Sequence, residues 1–148
     1  AIMHLTSNGG VNMLPALDGI DHIHVYVSNR EKAAKWYKDI LGFHVNESLA
    51  FWAENVHGPL TIEDPTGKIH LALFNSDDFI PSTAIAFKAG GEEFLGWKSI
   101  LEKENILLRC TDHKVAWSLY FKDLDGNMHE ITTYEYDYVA GGLESSSA

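Results

Sequence analysis

Between Ile20 and Val27 the chain alternates: Ile23, Val25 and Val27 fall on one face, His22, His24 and Tyr26 on the other. That period of two marks a strand with one core face and one polar face. Ser28, with Glu31 three residues on, has capping-box spacing ahead of EKAAKWYKDIL. Ala33, Tyr37, Ile40 and Leu41 then make an apolar stripe and Gly42 supplies a stop, which predicts a helix of about three turns. Strand-like runs follow at 43–48 (FHVNES), near 59–63 and at 68–74 (KIHLALF), the last two joined by the turn Asp64-Pro65-Thr66-Gly67.

The same order then returns. STAIAFKA at 82–89 alternates, GGEEFLGWKSILEKEN carries Phe94, Trp97 and Leu101 at helical spacing, and strands are expected near 106–111, 115–122 and 127–134. Two βαβββ modules, 17–76 and 80–137, fill one expected domain at 17–137, and DPTGKIH at 64–70 echoes DLDGNMH at 123–129. The fold class is therefore α+β: a mixed sheet whose helices cover one face of each module, leaving the other faces to form a cup. Residues 1–16 and 138–148 carry no sustained period and are expected to be flexible tails.

Charge narrows the functions. With 21 acidic residues against 11 Lys and Arg, a formal net charge of -10 argues against nucleic acid, which needs a concentrated basic face. No apolar run approaches the roughly 20 residues of a membrane span, so a soluble, cytoplasmic protein is expected. Cys110 is the only cysteine, which excludes an intrachain disulfide and a thiolate zinc cluster; a lone thiol is more often a small buried hydrophobe than a nucleophile.

GIDHIHVYV at 19–27, WYKDILGF at 36–43 and SLYFKDLDGN at 118–127, followed by His129 and Glu130, resemble the vicinal oxygen chelate superfamily, which includes glyoxalase I, extradiol dioxygenases, fosfomycin-resistance proteins and bleomycin-binding proteins. The resemblance implies two βαβββ modules paired into a cup around a divalent metal, Fe, Zn, Ni or Mn, held by a histidine on the first strand, a histidine on the fifth and a glutamate on the eighth. His22 matches the first and Glu130 the last. Ala84 stands where the second histidine is usual.

Three residues compete for the missing coordination. His24 shares a strand face with His22. His70 turns toward the cavity if Ile69, Leu71 and Leu73 are core, although the turn repeat gives a different register, with Leu71 equivalent to Glu130. His113 lies in an expected loop. His22, Glu130 and His70 form the expected metal set, His24, Trp52 and Tyr120 the substrate pocket, and Tyr120 and Glu130 the catalytic groups, the phenol donating to a developing anion or acting as general acid. Trp97, on its helix stripe, reads as core.

The expected function is a metal-dependent lyase, isomerase or extradiol-type dioxygenase acting on a small organic substrate with vicinal oxygens, in a homodimer, as is common among such relatives. The alternative is a metal-free protein that binds a small aromatic or drug-like ligand. A phosphonate substrate is disfavoured, since Lys114 and Lys122 look scattered where convergent cations are needed.

Overall fold

The computed structural model describes residues 4–5 and 11–146. In chain order the elements are β1 (His4–Leu5), β2 (Val11–Asn12), β3 (Ile23–Val27), α1 (Arg30–Leu41), β4 (His44–Val45), a 3-10 helix (Glu47–Glu54), β5 (Leu60–Glu63), β6 (His70–Asn75), β7 (Ile85–Lys88), α2 (Gly91–Lys103), β8 (Arg109–Asp112), β9 (Trp117–Lys122), β10 (Met128–Thr133) and α3 (Tyr136–Ser146). Two four-stranded mixed sheets, β3-β6-β5-β4 and β7-β10-β9-β8, repeat one topology. In each, the first strand runs parallel to the last of its module and the remaining pairs are antiparallel. The α+β class and the duplicated module are thus present, as two open sheets rather than a closed barrel.

The period-two reading holds for β3: Val25 and Val27 are fully buried, while His24 and Tyr26 are exposed. Local chemistry shifts several boundaries. Asn29, not Ser28, caps α1, its side chain accepting from Lys32 N–H at 2.9 Å, because the Ser28 N–H is already given to Asp125 at 3.0 Å. The buried stripe of α1 is Arg30, Ala33, Tyr37 and Leu41, with Ile40 only half-buried, and Gly42 ends the helix at φ 75°. Of 43–48 only His44–Val45 is strand, since Asn46 accepts from the Leu49 N–H and starts the 3-10 helix. The expected tail from 138 is instead part of α3, whose Val139 is fully buried. Of the expected N-terminal tail, residues 1–3 and 6–10 lie outside the described residues.

One turn decides a register that the sequence leaves open. In the second module the Asp123 N–H reaches Asn127 O, whereas in the first the Asp64 N–H reaches Ile69 O, so the first turn holds one more residue. A single extra residue reverses the faces of the strand that follows. His129 is therefore buried while His70 lies on the open face. By the same slip Glu130, paired with Ala86, has Ala72, paired with His24, as its counterpart, and not Leu71.

Between the modules lies a buried polar cluster. Tyr37 on α1 donates to Asp123 at 2.6 Å, and its oxygen lies 2.7 Å from His129 Nε2. With the phenol O–H donated to Asp123, the Tyr37 oxygen accepts from His129, so the imidazole N–H sits on Nε2, leaving a lone pair on Nδ1, which has no partner. Asp123 also accepts from the Asp125 and Asn127 N–H groups, and the Asn127 amide donates to Tyr26 O. The His129 ring is packed by Tyr37, Phe87 and Phe121. Burial pushes the His129 pKa down to about 4, against the opposing pull of Asp123, and burial followed by the Asp123 charge pushes the Tyr37 phenol up.

Since a neutral folded His129 faces an unfolded histidine near 6.5, protonation favours unfolding below that pH. Stability is expected to fall as pH drops from 6.5 toward 4, by up to about 3 kcal/mol. Urea unfolding across this window should show the slope, and His129→Phe should flatten it by about one proton. An unchanged slope in the variant would place the titration elsewhere.

Candidate metal and substrate site

Each sheet presents one chemically loaded row of side chains on its open face. Across the first, His44 pairs with Glu63 and Glu63 with His70, and the ladder puts His22, just before β3, level with His70. Across the second, Arg109 pairs with Tyr120, Tyr120 with Glu130, and Glu130 with Ala86.

In the first row Glu63 lies 3.0 Å from His70 Nε2 and 3.4 Å from His44 Nε2. His70 Nδ1 lies 3.1 Å from the Asp21 carbonyl oxygen. Each ring nitrogen of His70 thus has its own neighbour within the first sheet, Glu63 on one side and the Asp21 carbonyl on the other. His22 differs. Its Nδ1 meets the Asp21 carboxylate at 2.7 Å and its Nε2 lies 3.1 Å from His24 Nε2. The two rings stack, and His24 leans on Phe74, whose ring also meets Tyr26. Trp52, on the 3-10 helix and 44% exposed, lines a cavity of about 100 Å³ with Asp21, His22, Leu49, Thr61 and His70.

In the second row Glu130 accepts from the Ser118 hydroxyl at 2.7 Å. Tyr120 meets His113 Nε2 at 3.0 Å, and the Arg109 guanidinium lies 4.2 Å over the Tyr120 ring. Ala84, two residues before Ala86, faces the same way as Glu130. Cys110 is half-buried, and burial raises its pKa, which suits packing rather than attack. Trp97 packs against the core.

The sequence-selected residues thus fall in two groups: His22, His24, His70 and Trp52 on the first sheet's open face, Tyr120 and Glu130 on the second's. Among the described residues no three His, Cys, Asp or Glu side chains converge to hold a metal ion. Sequence reasoning passed over Asp21, Glu63, Ser118 and Arg109. Asp21 adjoins His22 and Ser118 alternates with Tyr120, so both were within reach of the pattern. Arg109 was not: its face depends on the β8–β9 register.

A family model described as the Glyoxalase/Bleomycin resistance protein/Dioxygenase superfamily matches residues 19–131. The metallothiol transferase FosB of Staphylococcus epidermidis is 32% identical over 127 residues, covering 79% of this chain and 84% of its own. Among solved structures, a glyoxalase/dioxygenase from Nostoc punctiforme superposes with a TM-score of 0.65 at 22% identity, covering 84% of this chain and 99% of its own. A lactoylglutathione lyase from Agrobacterium tumefaciens gives 0.64 at 18% identity, covering 80% and 96%.

The Asp21 contact sets the His22 tautomer. Nitrogen-15 NMR of the imidazoles should find His22 protonated at Nδ1, and Asp21→Asn should raise the share of the Nε2–H form. An Nε2–H tautomer in the parent protein would remove Asp21 as the orienting group.

Proposed function

Because the chain belongs to the glyoxalase/bleomycin resistance protein/dioxygenase superfamily, we propose that it is a divalent-metal enzyme acting on a small organic substrate with vicinal oxygens. The observation that supports this reading is an oriented histidine on one sheet and an oriented carboxylate on the other. His22 is turned by Asp21 so that Nε2 is directed away from the acid, and Glu130 is held by Ser118 on the inner part of the other sheet. Imidazole with carboxylate suits Fe, Zn, Ni or Mn while leaving positions open for substrate. When bound, such an ion acts as a Lewis acid toward the substrate's oxygens.

The chain's own groups supply the rest. The Tyr120 phenol donates to oxygen that gains negative charge, Arg109 beside it meets an anionic substituent, and Trp52 walls the cavity against a planar portion of substrate. Isomerisation, ring opening and nucleophile addition all use these parts. Addition of a thiol is the direction that the name of the FosB relative favours.

Among the described residues no three donors converge; in this reading the site is completed between two copies in a homodimer, His22 from one and Glu130 from the other. The second reading, a metal-free protein that binds a small aromatic ligand, draws on Ala84 and on the Tyr26, Phe74 and Phe79 ring cluster.

Metal analysis separates the two. Protein supplemented with Fe(II), Zn(II), Ni(II) and Mn(II) should retain about one ion per chain, with His22→Ala and Glu130→Ala each losing it; less than about 0.1 ion in the parent would sink the enzyme reading. Light scattering should give twice the chain mass. Mixing the two variants should restore about one site in four, as random re-pairing of a two-fold dimer demands. Binding by neither the mixture nor the single variants, in a protein that is dimeric and binds metal, would place the site within one chain.

A further inference from the structure

We propose that the junction between the two modules holds a binding site for a small uncharged aromatic molecule, on the opposite face of the second sheet from Glu130. The site needs no metal and does not rest on the enzyme reading above.

A cavity of about 170 Å³ lies there, lined by Leu41, Phe43 and Ile69 from the first module and by Phe87, Trp97 and Ile131 from the second. Phe87 and Ile131 directly follow Ala86 and Glu130 in paired strands, so alternation turns them to the other side of the sheet. None of these residues lines the cavity beside Trp52. Leu41, Phe43 and Ile131 are buried, and Phe43 meets Phe87 edge to face with ring centroids 5.9 Å apart. Aromatic surface from both modules therefore forms the wall, and offset or edge-on contact with a further ring is the arrangement such surfaces favour.

Size limits the guest. Interiors are close-packed, and spaces much larger than a water molecule are few. An apolar space of about 150 Å³ stays dry and accepts a guest the size of benzene, whereas sites for drug-sized ligands begin near about 300 Å³. This one suits a single ring or a compact fused pair. Ala89 is the small residue of the lining, and its methyl group leaves the space that a longer side chain would fill.

The rim decides the charge. The Asp64 carboxylate borders the cavity but already accepts from the N–H groups of Thr66, Lys68 and Ile69 and from the Thr66 hydroxyl. Lys88, on the same rim, holds its ammonium over the Tyr134 ring, 5.8 Å from the centroid. An acid and a base thus stand at one mouth, each with its own partners. A charged guest would be attracted by one and repelled by the other, and its charge would lose hydration against an apolar wall. An uncharged ring loses nothing comparable.

Toluene and indole are the probes and benzoate is the charged comparison, followed by carbon-13 methyl NMR and by thermal unfolding. Both neutral probes should shift the Leu41, Ile69 and Ile131 methyl signals saturably and raise the unfolding midpoint as their concentration rises; benzoate should do neither. Ala89→Leu, and separately Ile69→Trp, fill the space from opposite modules, and each folded variant should bind toluene at least about tenfold more weakly. If one of the two fails to fold, the other decides. Parent-like affinity in a folded, filled variant overturns the proposal, as does the absence of saturable shifts with either neutral probe. Shifts confined to the Tyr26, Phe74 and Phe79 rings overturn the location, and benzoate binding as tight as that of toluene overturns the ligand class.

Discussion

The structure depends on a carboxylate buried between its two halves. Asp123 opens the β9–β10 turn, caps that turn from within through two backbone N–H groups, and accepts from the Tyr37 hydroxyl on α1. A buried charge of this kind is tolerated only when its acceptor capacity is filled, and here one donor comes from the other module. The Asn127 amide extends the cluster to Tyr26 O and to Asp123 itself, and its carbonyl accepts from the Ser82 N–H. The first strand, the first helix, the start of β7 and the last hairpin are thereby fixed to one point. Hydrogen bonds to charged groups contribute about 1.5–3 kcal/mol each, and none of these partners can leave without exposing the others to an unfilled charge.

Most of the fold was legible because the chain states it twice. Val25 and Val27, Leu71 and Leu73, Leu119 and Phe121 all occupy the buried phase that alternation gives them. Gly42 ends its helix as its φ of 75° requires. What escaped the pattern was decided by competition among local donors or by small insertions. Ser28 has the right chemistry to cap α1, yet its N–H is drawn to Asp125, and Asn29 caps instead. Gly141, Gly142 and the serines near the end resemble a linker, yet the buried Val139 anchors a helix there. The one-residue difference between the two turns cannot be seen in their shared letters, although it sets whether a histidine faces core or water.

The candidate site was less legible because its members meet through register. Adjacent positions such as Asp21 and His22 can be read together from the letters alone. Arg109, Tyr120 and Glu130 cannot: they form one row only when three strands are aligned. The alignment also shows that duplication has not been kept in the chemistry. Glu130 has Ala72 as its counterpart, and His22 and His24 have Ala84 and Ala86. The histidine pair at β3 and the Glu130 carboxylate on β10 therefore belong to different sheets.

Arg30 gives the cavity wall a mechanical character. Buried to 4% exposure, its guanidinium gathers the carbonyl oxygens of Ala53, Asn55 and Gly58 at the back of the segment that carries Trp52. One rigid planar group holding three points along a loop makes yielding at one point costly for the other two. Trp52 is consequently carried on a segment whose backbone is tied at three points to one side chain from the first helix.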